Sequence, residues 1–132
     1  LSQSQNENKL ILLYFTGYGC INCKKIEQAV LYDQEVSKSI IQNFIFKPIY
    51  VDDRKELPKK DQKEVKLDGR TRMLKTIGDM HFYYQMSRFN VSGQPYFVVL
   101  NSKNEIIGTA DYTENTVKKF LLFLNESLDN SN

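Results

Sequence analysis

The sequence predicts an α/β domain, a central mixed β-sheet flanked by helices, with a hairpin inserted around residues 53–80. Three observations lead there. Residues 9–15 read KLILLYF, an apolar run without alternation, as expected of a strand buried on both faces. Directly after it, Cys20 and Cys23 stand where the strand pattern gives way to helical spacing. Further on, Pro95 opens a second unbroken apolar run, PYFVVL, which Asn101 to Asn104 turns back into EIIGT.

The elements between these landmarks follow in order. Thr16, Gly17, Tyr18 and Gly19 break the first strand, and from Cys20 onward Ile21, Ile26, Ala29 and Val30 recur at roughly helical spacing. Asp33 is placed to break this helix and cap a second segment, whose apolar face is Val36, Ile40, Ile41 and Phe44. Ile45 to Val51 reads as a strand; Pro48 cannot donate to a ladder, which puts it on an edge or at a strand start. Asp52 to Leu67 is dense in charge, and Asp68-Gly69 is the signal for a tight hairpin turn between EVKL and RTRML. The aromatic-rich stretch from Met80 to Phe89 reads as a helix. From Thr113 a final helix presents Val117, Phe120, Leu121, Leu124 and Leu128 on one face. The order is strand, helix, strand, helix, strand, strand, helix. The polar ends, Ser2 to Asn8 and Asp129 to Asn132, are expected to fray.

Composition bounds the function. The 132 residues suit one domain, taken as 1–132, and 41% hydrophobic with 12% aromatic residues suffices for a core. A net charge of +2 gives no reason to expect nucleic acid or an anionic membrane as partner. No apolar run approaches the roughly 20 residues of a membrane-spanning helix, and Leu1 to Asn8 is too polar for a signal peptide, so a soluble domain is expected. The start at Leu1 fits a processed product or a piece of a longer protein.

Two cysteines do not make a stapled scaffold. A bridge across two residues closes too small a loop to constrain the unfolded chain, so chemistry explains the pair better than stability. Thiol exchange needs a thiolate open to solvent and a second thiol near enough to resolve the mixed disulfide. At a helix start the first cysteine lies by unpaired N–H groups and the positive end of the helix dipole, while the second lies one turn in. Cys20 is therefore the expected nucleophile and Cys23 the resolver, without a bound cofactor. Lys24 and Lys25 add positive charge or are plain helix surface. Zinc needs about four ligands in a structural site; His81, next to Phe82 and Tyr83, is better read as a packed residue, and no metal is expected. Tyr18 is expected to pack half-buried beside the cysteines, or to form part of an apolar docking surface. The charge run from Arg54 to Lys66 reads as a solvated face.

The stretch GYGCINCKKIEQAV is similar to the loop and helix of heavy-metal-associated domains, with Tyr18 where those carry Met. A soft-metal carrier, or a redox-inert interaction module using the same loop, is the alternative. Over nearly its whole length, however, the chain resembles the thioredoxin superfamily: LLYFTGYGCINCKKIE matches the strand–C-x-x-C–helix unit, and RFNVSGQPYFVVL the segment entering the cis-proline strand. The resemblance implies the thioredoxin fold, and a cis Gln94–Pro95 peptide facing the cysteines, where the backbone of residue 94 pairs with a substrate strand. Within the superfamily, FTGYGCINCKKIE, the YVDD after the second strand and TIGDMHFYYQMSRF resemble the C-terminal periplasmic domain of the DsbD-type thiol:disulfide interchange reductases, in its Bacteroidetes form. That implies a monomeric periplasmic domain of an inner-membrane protein, in a family serving disulfide reduction and cytochrome c biogenesis. It would take electrons from the membrane portion of the same polypeptide and pass them to an amino-terminal partner domain. Of two acidic residues that tune the pair in that family, Glu27 matches one, or is an ordinary surface residue of the helix, and Tyr14 replaces the other, leaving Tyr14, a water or Glu27 to take the proton of Cys23. Spacing alone equally permits an oxidant or an isomerase; only the resemblance favours reduction.

Overall fold

The computed structural model describes residues 9–131. Strand β1 (Leu10–Thr16) lies inside a four-stranded sheet of order β2-β1-β5-β6, with β2 (Phe44–Tyr50) parallel to it and β5 (Tyr96–Leu100) antiparallel. Strand β6 (Ile106–Asp111) extends the sheet antiparallel to β5. Apolar residues fill both sides of β1 because both sides are covered. Leu12 and Tyr14 point into a core shared with Cys23, Ile26, Val36, Ile40, Phe120 and Leu124, whereas Ile11, Leu13 and Phe15 face Val98, Leu100, Tyr84 and Phe89. Pro48 is accommodated as expected, because β2 is an edge strand.

Helix α1 (Ile21–Ile26) continues into a π-helical stretch, Glu27–Leu31, before α2 (Gln34–Asn43). Asp33 caps α2, accepting the N–H groups of Glu35 and Val36 at 3.0 and 3.1 Å. The uniform helical spacing read from the sequence therefore holds only in part. Ile26 and Val30 are buried, but Ile21 and Ala29 are exposed, Ile41 turns to solvent, and Phe44 is already the first residue of β2. Helices α1, α2 and α4 (Val117–Asn130) supply one core, and α3 (Ile77–Phe89) covers the other face. A 3-10 turn, Tyr112–Glu114, precedes α4, so the last helix begins after its Thr116 cap rather than at Thr113. Of the ends expected to fray, Ser2 to Asn8 and Asn132 lie outside the described residues, while α4 runs on through Asn130.

The inserted hairpin is β3 (Lys63–Leu67) with β4 (Arg70–Leu74), joined by Asp68 and Gly69, both at positive φ (53° and 73°), as this two-residue turn demands. Its base is closed by the Leu57 N–H to the Lys75 carbonyl at 2.9 Å and a bridge between Glu56 and Thr76. The insertion thus ends near residue 76 rather than 80, because Thr76 and Asp79 form a capping box that starts α3. The first turn of α3 lies flush on the chain leaving β2: Gly78 donates to the Asp53 carbonyl at 3.0 Å, and a Cβ on Gly78 would stand 2.7 Å from Asp53 N, Asp53 O and Val51 O. Only glycine permits that approach.

Candidate active site

Strand β1 ends, the chain turns through residues 17–19, and Cys20 becomes the cap of α1. Its N–H bonds to the Gly17 carbonyl at 3.2 Å, and its Sγ accepts the Cys23 N–H at 3.2 Å. Cys20 and Cys23 are joined in a disulfide with Cα atoms 5.2 Å apart. Cys20 is half-buried and Cys23 wholly buried, the asymmetry expected from a cap position followed by one turn of helix. A thiolate at Cys20 would keep the Cys23 N–H as a charge-assisted donor.

The Gln94–Pro95 peptide is cis, and the Gln94 carbonyl oxygen lies 3.7 Å from Cys20 Sγ. The motif at residues 20–23 and the proline motif, 74 residues apart in sequence, therefore meet in space. Tyr18 stands beyond them, 60% exposed and not half-buried, because its ring stacks flat on Tyr50 at a centroid distance of 4.0 Å instead of entering the core. Ile21, 72% exposed, is the other open apolar side chain beside Cys20.

Beneath Cys23, Tyr14 and Glu27 meet: the Tyr14 hydroxyl donates to Glu27 Oε2 at 2.8 Å and lies 3.5 Å from the Cys23 carbonyl oxygen. The Tyr14 ring is stacked on Phe97 at 4.6 Å and is almost wholly buried. Burial pushes its hydroxyl well above the usual phenol value, and the adjoining Glu27 carboxylate pushes the same way, so Tyr14 is a neutral donor throughout the physiological range. Tyr14 and Glu27 also line a groove between α2 and β2 that opens to solvent. His81 is packed against β2, its Nδ1 at 2.9 Å from the Tyr50 carbonyl oxygen.

Two residues of this neighbourhood escaped the reading of the sequence. Asp52, in the loop after β2, accepts the N–H groups of Tyr18 and Gly19 at 2.9 and 3.0 Å and so holds the turn that leads into Cys20. Desolvation pushes its carboxyl up, but those N–H groups outweigh that and hold it below the usual carboxylate value. Gln85, fully buried in α3, donates from Nε2 to the Gly93 carbonyl at 2.8 Å and accepts from Gln94 Nε2 at 2.9 Å. The available signals were a carboxylate shortly after a strand that enters beside the cysteines, and an amide four residues before core residue Phe89.

A cysteine pair at the cap of the helix after a central strand, facing a cis-proline loop, defines the class of thioredoxin-fold proteins with a C-x-x-C pair. The chain belongs to the thioredoxin-like domain family, whose model matches residues 1–124. Among solved structures, a thioredoxin from Thermus thermophilus is 22% identical with a TM-score of 0.67, covering 97% of this chain and 80% of that one. The DsbH oxidoreductase is 14% identical with a TM-score of 0.70, over 97% and 78% of the two chains. The C-terminal domain of DsbD from Neisseria meningitidis, in its reduced form, is 14% identical with a TM-score of 0.58, over 96% and 87%. No curated protein sequence matches the chain.

Proposed function

We propose that this protein is a thiol:disulfide oxidoreductase that reduces disulfides of other protein domains through Cys20 and Cys23. The observation that carries the proposal is the cap geometry: a half-buried Cys20 Sγ receiving the Cys23 N–H at 3.2 Å, with Cys23 shielded one turn in. In the dithiol form the Cys20 thiolate attacks a partner disulfide; a mixed disulfide forms and one partner thiolate leaves and takes up a proton. The Cys23 thiol then loses its proton and attacks Cys20 Sγ, which closes the 20–23 disulfide and frees the second partner thiol. Two electrons pass to the partner, and Cys20 and Cys23 each give up one proton. Glu27 is the acceptor that suits the second proton. Tyr14 holds it against the Cys23 turn, and the groove beside it leads to water.

Reduction rather than oxidation is supported by what surrounds Cys20. A strongly oxidising pair is one whose thiolate is heavily stabilised. Here Ile21 and Asn22, between the cysteines, carry no charge, and the Asp52 carboxylate, which takes the N–H groups of Tyr18 and Gly19, offsets the positive charge of Lys24 near the nucleophile. The motif resemblance to the DsbD-type periplasmic domain extends the proposal. In it the domain, monomeric and needing no cofactor or metal, relays electrons in the periplasm from a membrane portion of the same polypeptide to an amino-terminal domain.

The test is the equilibrium potential of the pair, read by thiol trapping and mass in redox buffers, since the chain has no Trp. The expected value is about −270 to −200 mV; one near about −120 mV would overturn the reductase direction. Failure to form the disulfide, together with tight binding of a soft metal, would overturn the oxidoreductase proposal itself.

A further inference from the structure

Among the described residues, Gln85 is the one wholly buried side-chain amide, and its partners all belong to the segment facing the cysteines. Its Nε2 donates to the Gly93 carbonyl, and its Oε1 accepts from Gln94 Nε2, which donates in turn to the Ser92 carbonyl at 3.1 Å. Helix α3, packed by Tyr84 and Phe89 against the sheet core, thus grips residues 92–94 through a single side chain. What it grips is the backbone whose Gln94 carbonyl stands 3.7 Å from Cys20 Sγ.

In a mixed disulfide the partner cysteine must lie with its Cα roughly 4.4–6.8 Å from that of Cys20. The partner's main chain then runs beside residue 94, and a polypeptide gains backbone hydrogen bonds there that a small disulfide without a main chain cannot make. We propose that Gln85 is a positioning residue for the capture of protein disulfides: it holds the loop at Gly93 and Gln94 in the one place beside Cys20 against which an incoming segment bearing a disulfide aligns. The inference rests on the oxidoreductase proposal above and adds what selects the substrate.

Gln85→Leu supplies an apolar side chain of similar size, takes the donor from the Gly93 carbonyl and leaves the Gln94 amide only its bond to Ser92. Pre-reduced wild type and variant are mixed in single turnover with insulin, a protein disulfide, and with 5,5′-dithiobis(2-nitrobenzoate), a small one, and the ratio of the two second-order rates is compared. A change in thiol chemistry cancels in that ratio. The ratio is expected to fall about tenfold, the effect of about one lost hydrogen bond. Gln94→Ala, which keeps the backbone carbonyl and removes one arm of the grip, should lower it severalfold, and it carries the test if Gln85→Leu does not fold. The double variant should fall no further than Gln85→Leu, as expected of two side chains acting through one contact. A ratio within about twofold of wild type in both single variants, or losses that multiply in the double variant, would overturn the inference. Wild type that reduces neither disulfide would overturn the oxidoreductase proposal, and the inference with it.

Discussion

Replacing Tyr14 by Phe removes one oxygen and keeps the ring stacked on Phe97, so the change isolates the bond to Glu27. A hydrogen bond to a charged group contributes about 1.5–3 kcal/mol; Glu27 is half-exposed, and screening brings the expected loss at pH 7 to about 1 kcal/mol. Alkaline pH works in the opposite direction. The folded Tyr14 hydroxyl titrates well above its ordinary value of 10.0, so this contribution is complete below pH 10 and is lost as pH rises toward the folded value. At pH 11 the unfolded chain gains about 1.4 kcal/mol by ionising this phenol, a gain that the folded chain, with its raised value, does not share. Every other group is common to the two proteins, so the comparison isolates Tyr14. Urea unfolding of the oxidised proteins, in which the cysteines do not titrate, should therefore show wild type ahead by about 0.5–1 M in midpoint at pH 7. The two should nearly coincide at pH 11. A gap that stays the same or widens would refute the argument, because it would mean that Tyr14 ionises as easily in the fold as out of it.

Asp52→Asn should cost about 1 kcal/mol at pH 7 through weakened bonds to Tyr18 and Gly19. Because the folded carboxyl lies below its usual value, the wild-type advantage is present above about pH 4 and should narrow as pH falls through the folded value, measured by urea midpoints at pH 7 and pH 2.5. The same variant removes the charge that offsets Lys24 near Cys20, so its reduction potential should become less negative; an unchanged or more negative value would count against the role given to this carboxylate in direction. Gly78→Ala should destabilise by about 2–4 kcal/mol, since the new methyl meets backbone atoms of Val51 and Asp53 that cannot swing aside. A melting temperature within about 2 °C of wild type would show that α3 moves away from that loop at little cost.

How much was legible in the sequence varied with the range of the interactions. The strand at residues 10–16 and the hairpin turn at Asp68-Gly69 declare themselves through burial on both faces and through a positive-φ requirement. Ile21 and Ile41 misled because each stands off the face its own helix buries, Ile21 two positions before Cys23 and Ile41 one after Ile40, whereas Ala29 falls in the π-helical stretch at Glu27–Leu31, where regular helical spacing does not hold. Tyr18 misled for a different reason: its ring found Tyr50, a neighbour that only the pairing of β1 with β2 brings close.

By itself, then, the sequence determined the element order, the buried central strand, and the placement of Cys20 and Cys23 at a strand-to-helix junction. Each is set by local periodicity, capping or turn chemistry within a few residues. The family resemblance anticipated the cis Gln94–Pro95 peptide facing the cysteines and the neighbourhood of Tyr14 and Glu27, but only the tertiary structure shows the Tyr14–Glu27 bond beneath Cys23, the Asp52 carboxylate holding the turn, and the Gln85 grip on the proline loop. The physical reason is distance along the chain. Asp52 bonds to groups 33 and 34 residues away, and the Gln94 carbonyl meets a sulfur 74 residues away. No local pattern records such a contact, because the sheet order and the seating of α3 create it.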